Sequence, residues 1–454
     1  VFAGHRLWRR GVLGVEEAVG GKKCVANRAI DARDGVPSCV ESMSAFETLA
    51  ALLTLAAAFA YVNRRWLGQP PSIALMAMTL VLSLGLIAVR RAGWVEASVL
   101  TNVLDRMDVD FDDTLLHGML GALLFAAALH IPLGELKEQR LTVAILALVG
   151  TVISTGIVGA LAHYVLSVVG LEVSFGHCLL FGAVISPTDP VAVIGILKQA
   201  RVPRSMEVQI SGESLFNDGV GVVIFTTMVS IVANESPTLG HTLLVFARET
   251  LGGAAFGLAA GYATFHLLRT IDHYQTELLL TIALVLGGYV VAEHLHVSAP
   301  LAAVVAGLVI GNPGRAHGMS DVTRDHLDKF WFLVDDVLNA ILFVLVGLEV
   351  TRLTLAREAL LAGAAMIPVV LVARLLSVGV PVALLARRTA FARGTVSVLT
   401  WGGLRGGISV ALALSLPPSP HKDVIVTMTY SVVVFSILVQ GLTLGTLARR
   451  FGAH

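Results

Sequence analysis

Charged side chains are scarce in this chain. They make up 14% of its 454 residues, where a soluble globular domain carries about a quarter. So low a share, beside 56% hydrophobic residues, excludes an ordinary water-soluble enzyme and points to a chain that crosses a bilayer many times. Basic residues are not in excess: 32 Lys and Arg balance 32 Asp and Glu. No polybasic surface for nucleic acid is implied. Cysteine is nearly absent. Cys24, Cys39 and Cys178 show neither CxxC nor disulfide-framework spacing, and Cys178 sits in an apolar run as a small packing residue. The first forty residues also lack an apolar stretch, so they do not read as a signal peptide. Residues 1–42 read either as an N-terminal tail or as sequence upstream of a start at Met43, with Val1 compatible with a GTG codon. The membrane domain is expected over 43–454.

What is abundant is apolar runs of spanning length. About thirteen are expected, near 45–62, 71–89, 114–131, 141–168, 175–197, 211–233, 241–268, 276–295, 297–312, 330–350, 358–385, 394–416 and 423–447. Basic residues follow the odd-numbered runs: Arg64 and Arg65, Lys137 and Arg140, Lys198, Arg201 and Arg204, Arg269, Arg315, Arg324 and Lys329, Arg387, Arg388 and Arg393, and finally Arg449 and Arg450. The loops after the fourth, sixth and eighth runs have none. The loop after the second run is the main exception, with Arg90, Arg91 and Arg106 among six acids. This alternation predicts an outer N-terminus and a cytoplasmic C-terminus.

Two runs are poor continuous helices. The fifth holds Ser186-Pro187-Thr188-Asp189-Pro190, and two prolines three apart remove backbone donors and disfavour helix before them. The twelfth holds Trp401-Gly402-Gly403-Leu404-Arg405-Gly406-Gly407. Irregular backbone at membrane depth survives only where it is packed in protein or lines a cavity. Paired breaks at corresponding places in two halves point to a transport site. Here the halves are runs 1–6 and 8–13, two six-helix repeats that the intervening seventh run makes inverted. The fold expected is therefore all-α and polytopic.

The sixth run opens with Glu213, Ser214, Asn217 and Asp218. A charge at membrane depth costs roughly 2.5–3.5 kcal/mol on insertion scales, so it is seldom accidental. Ser214 and Asp218 are four residues apart and share one helix face. A hard cation such as Na⁺ takes carboxylate, hydroxyl and carbonyl oxygens, and carbonyls freed around Thr188 and Asp189 can add to the set. A carboxylate far from water takes either a proton or a cation. That competition suffices for exchange if access alternates between the two sides. Glu213 and Arg405 are natural intramembrane partners, costly alone and tolerable as a pair. Asp189 either offsets the positive end of a broken half-helix or caps a tight turn. Asp335, Asp336 and Asn339 either line an access funnel or end a helix in water. Arg374, inside the eleventh run, needs a partner or a path to the interface. The histidines fall near helix ends or off metal-ligand spacing. The stripe Gly252, Gly253, Gly257 and Gly261 has the small-residue spacing of close helix packing.

These motifs resemble those of Na⁺/H⁺ antiporters of the NhaP/NHE branch of the cation–proton antiporter superfamily. Ile185 to Val193 resembles the family's broken helix, Gly212 to Val220 its Asn-Asp motif, Phe330 to Glu349 its tenth span, and Trp401 to Ser409 its second broken helix. The likeness runs from about Met43 to the C-terminus. It implies an NhaA-like antiporter fold in which Asp218 binds the ion and the proton, with Ser214 and Thr188 completing a Na⁺ site and Asp189 beside it. It implies that Asn217 is structural, that its neutrality goes with electroneutral exchange, and that Glu213 pairs with Arg405. It further implies a homodimer in a bacterial inner membrane, exchanging Na⁺ or Li⁺ for H⁺ in pH homeostasis, with no cofactor. One departure bears on selectivity: many bacterial relatives carry an acid after Leu-Leu-Phe of the third span, where this chain has Ala126.

K⁺/H⁺ exchange is the alternative that the same residues support. An intramembrane enzyme is disfavoured, because Gly212-Glu213-Ser214 is not a GxSxG elbow and no Ser/His or metal-ligand pair sits at matching depth. A passive channel fits two broken helices and one titratable site less well than a carrier does.

Overall fold

Backbone hydrogen bonding in a bilayer must be satisfied within the protein, and the chain does this with helices almost throughout. The computed structural model describes residues 24–25, 40–41, 45–92, 119–233, 239–314, 319–353, 356–387, 389 and 391–451. A two-residue antiparallel ladder, Cys24–Val25 with Val40–Glu41, precedes the helices. The alternative readings of residues 1–42 and the acid-rich loop after the second run fall largely outside the described residues.

Nine helices among the described residues are long and apolar enough to span a membrane, and three shorter apolar ones accompany them. The helices that matter below are α1 (Arg140–Val169), α2 (Phe175–Ile185), α3 (Val191–Ala200), α4 (Arg204–Ala233), α5 (Leu239–Leu268), α6 (Ala299–Val309), α7 (Asp321–Glu349), α8 (Arg357–Leu385), α9 (Thr395–Trp401), α10 (Gly407–Leu414) and α11 (Lys422–Arg449). Each expected apolar run has a helical counterpart. The fifth and twelfth are interrupted where expected, between α2 and α3 and between α9 and α10.

Two helices begin earlier than hydropathy predicts. α4 starts at Arg204 rather than near 211, and α7 at Asp321 rather than near 330. In both cases polar first turns are held by local contacts that an apolarity scan ignores. Arg204 pairs with Glu207 at 2.7 Å, and the Ser320 hydroxyl caps α7 by accepting from the Thr323 N–H at 3.4 Å. Asp335 and Asp336 thus lie well inside α7, so the helix-end reading of this pair is set aside.

The main apolar core joins both broken spans to α1, α4, α7, α8 and α11, through fully buried side chains such as Phe181, Leu197, Phe343, Leu399 and Leu412. The glycine stripe does what its spacing suggests. A Cβ on Gly253 would stand 2.5 Å from the Ser298 carbonyl oxygen, and one on Gly257 would strike Ala302. α5 and α6 therefore pack backbone to backbone.

Candidate functional site

The two breaks meet. Residues 186–190 and 402–406 are unwound, and the Asp189 N–H donates to the Leu404 carbonyl at 2.8 Å. Each break frees backbone groups that no lipid can satisfy, and side chains take them up. Arg405 donates to the Ser186 and Pro187 carbonyls at 2.5 and 2.9 Å. Its charge stands at the C-terminal end of α2, where the helix dipole favours a cation. Its own N–H donates to Ser436 Oγ at 2.9 Å, and Gln440 Nε2 donates to the Trp401 carbonyl at 3.1 Å. Ser436 and Gln440 lie on a widened π turn of α11, Ser436–Gln440.

The glycines of the twelfth span permit this crossing. A Cβ on Gly406 would collide with the Asp189 carboxylate, and one on Gly403 would lie 2.5 Å from Arg374 Nε. Asp189 thus rests against the residue that caps the N-terminus of α10, the positive end of that half-helix.

α4 runs beside the crossing and brings four side chains to it. Asn217 grips the break from both sides: its Oδ1 accepts from the Thr188 N–H at 3.3 Å and its Nδ2 donates to Thr188 Oγ1 at 2.8 Å. The Thr188 and Ser214 hydroxyls are 3.0 Å apart. Asp218, one turn beyond Ser214, is 3% exposed, and its Oδ1 is buried with no protein hydrogen-bond partner. Asp189, Arg405 and Glu213 are the charges that act on it. The donor set at this point is a carboxylate with a spare oxygen beside two hydroxyls, the hard oxygen chemistry that an alkali cation takes.

Glu213 corrects the expected pairing. It does not bond Arg405. Its two oxygens accept from Arg374 of α8, Oε1 from Nη1 and Oε2 from Nη2, the latter at 2.8 Å. Arg374 also donates from Nε and Nη2 to the Leu399 carbonyl of α9, at 3.3 and 3.2 Å. Arg405 turns instead to the carbonyls of the fifth span, and Arg374 takes the bidentate role. Glu213 and Arg374 are 1% and 7% exposed.

Some participants were missed from sequence. Ser436 and Gln440 are ordinary polar residues in an apolar run, and only their position at the π turn makes them backbone partners. Asn339 Nδ2 donates to Asp335 Oδ1 at 3.0 Å, which ties the two polar residues of α7 together. Asp335 is half-buried and close enough to Asp189 for their charges to interact, while Asp336 is exposed. Asp335 therefore lies within electrostatic reach of the crossing. Ala126 is fully buried, and it places no carboxylate at its position in the third span.

Comparison with known proteins gives a consistent result. The family described as sodium/hydrogen exchanger, transmembrane, matches residues 52–450. The chain is 47% identical over 413 residues to the Na⁺/H⁺ antiporter NhaP of Pseudomonas aeruginosa, covering 90% of this chain and 97% of that one. It is 36% identical over 395 residues to NhaH of Halobacillus dabanensis, covering 85% and 93%. The fold matches that of MjNhaP1, a sodium proton antiporter of Methanocaldococcus jannaschii, with a TM-score of 0.70 at 18% identity over 90% of this chain and 99% of that one. A multi-pass helical protein with two crossed broken spans and this extent of sequence likeness belongs to the sodium/hydrogen exchanger family.

Proposed function

We propose that this chain exchanges Na⁺ for H⁺ across a membrane, with the cation and the proton competing for Asp218. The observation that carries the reading is the buried Asp218 carboxylate, whose Oδ1 has no protein partner, standing one turn from Ser214 and beside the crossed breaks. A bound proton or a bound cation each offsets the cost of that buried charge. Thr188, Ser214 and Asp218 supply the cation ligands. Asn217 holds Thr188 in place and adds no charge, which fits the exchange of one cation for one proton. Asp189 and Arg405 neutralise the facing ends of the half-helices, so that the site carries one titratable charge of its own. The Glu213–Arg374 pair ties α4 to α8 and α9.

Alternating access follows if the bundle of broken helices moves against the remaining spans. The family resemblance supports a homodimer as the fixed frame, in a bacterial inner membrane. The basic loops support a cytoplasmic C-terminus. Li⁺, close to Na⁺ in its oxygen chemistry, is proposed as a second substrate. A second reading is K⁺/H⁺ exchange, which the same oxygen donors support, and Ala126 adds no carboxylate from the third span to the set that would choose between the two ions.

The test uses inverted vesicles in which respiration builds a pH gradient read by a fluorescent dye. Addition of Na⁺ or Li⁺ is expected to dissipate the gradient, and Asp218→Asn to abolish the response. Dissipation by K⁺ alone would replace Na⁺ with K⁺ as substrate. No dissipation by any of the three would end the antiport reading.

A further inference from the structure

α4 has a polar contact remote from the crossing. Thr226 lies eight residues past Asp218, about 12 Å along the helix toward its Ala233 end, the outer side by the charge pattern of the loops. Its hydroxyl lies 3.2 Å from Glu249 Oε2 on α5 and 3.1 Å from the Val223 carbonyl one turn back on its own helix, so its single hydrogen is shared between an interhelical and an intrahelical acceptor. Glu249 is an ionisable residue within a spanning helix that no step of the exchange uses, a placement that is rarely without purpose. Arg248 and His296 are the basic side chains near enough to act on it.

Glu249 is held on a rigid platform. Its own carbonyl accepts from the Ser298 N–H at 3.1 Å, at the start of α6. The close approach at Gly252, Gly253 and Gly257 fixes α5 against residues 297–302 along two further turns. α4 meets this platform differently. Near the ion site the contact is smooth and apolar: a Cβ on Gly219 would sit 3.4–3.6 Å from Leu301 in ordinary packing. A smooth apolar face lets one helix slide on another, whereas a hydrogen bond at its outer end resists separation.

We propose that the Thr226–Glu249 hydrogen bond is an outer-side latch. It holds the outer half of α4 against the α5–α6 platform and must break before the Asp218 site opens to the outside. This inference rests on the exchange reading above, because a latch has meaning only where access alternates. Glu249 is on this account a positioning residue and not a ligand of the transported ion.

The test reads access directly. Val222→Cys, one turn outward of Asp218, is introduced into a chain whose own cysteines are replaced by serine. Its labelling by a membrane-impermeant thiol reagent is timed from the outer side. Thr226→Val, which removes the donor and keeps the shape, should speed labelling about fivefold, the population shift from losing one partly exposed hydrogen bond. Glu249→Leu should do the same. Glu249→Gln keeps an acceptor oxygen and should label at the parent rate, which separates the latch from a general loosening of the fold. Equal rates in all four proteins, or faster labelling in Glu249→Gln as well, would overturn the proposal. Labelling needs no transport, so a parallel dye assay that found no exchange would count against the antiport reading, whereas unchanged labelling rates with exchange intact would count against the latch alone.

Discussion

Glu213 and Arg374 are the buried pair on which the packing of α4 against α8 and α9 depends, and their removal has a calculable effect. Glu213 is 1% exposed and accepts two bonds from one guanidinium, while Arg374 keeps, among the described residues, the Leu399 carbonyl as its further hydrogen-bond partner. Changing Glu213 to Leu strands a buried cation and should cost about 3–5 kcal/mol, as should Arg374→Met, which strands the carboxylate. Changing both leaves an apolar contact and should restore most of the loss, because the desolvation cost disappears with the charges. At about 2 cal/mol/K of unfolding entropy per residue, each single change should lower the melting temperature of the purified protein by about 3–5 °C, and the double change by much less. Thermal scans of the four proteins in one detergent measure this. The same cycle run with Glu213→Leu and Arg405→Met should give a much smaller coupling, since Arg405 bonds the Ser186 and Pro187 carbonyls instead. Additive losses for Glu213 with Arg374, or a larger coupling for Glu213 with Arg405, would refute the pairing.

Three further outcomes follow from the site geometry. Ser214→Ala removes one hydroxyl from the cation's ligand set and should raise the apparent Na⁺ KM about fivefold in the dye assay, with exchange retained at high Na⁺. Asn217→Asp adds a charge beside the break and should make exchange depend on membrane potential, which valinomycin clamping in vesicles detects; exchange that stays indifferent to potential would remove Asn217 from the stoichiometry. Gly406→Ala drives a methyl group into the Asp189 carboxylate, so it should abolish exchange while Gly134→Ala, at a position with open space around it, leaves exchange at the parent level.

Much of this was legible from the residues. The apolar runs gave the spans because a bilayer imposes one length on every crossing. The proline pair and the glycine cluster marked both breaks, since neither can continue a helix. Asp218 and Ser214 were placed together by the helical repeat alone. Pairing was not legible. A sequence shows that Glu213, Arg374 and Arg405 each need a partner, but not which helices stand side by side. Arg374 reaches Glu213 because α8 passes behind the twelfth span, and Gly403 leaves room for its guanidinium. The helix starts at Arg204 and Asp321 were also hidden, because caps and short-range ion pairs extend helices beyond their apolar cores. Ser436 and Gln440 gave no signal, since their role exists only where the broken backbone crosses a π turn.

The central claim is that one carboxylate serves proton and cation in turn. The direct measurement is proton release from the purified protein in weakly buffered detergent solution when Na⁺ is added. The claim predicts about one proton released per protomer, an apparent Na⁺ affinity that weakens about tenfold per pH unit on the acid side as protons occupy the site, and no release from Asp218→Asn. Saturable Na⁺ binding without proton release, or release that survives Asp218→Asn, would contradict it.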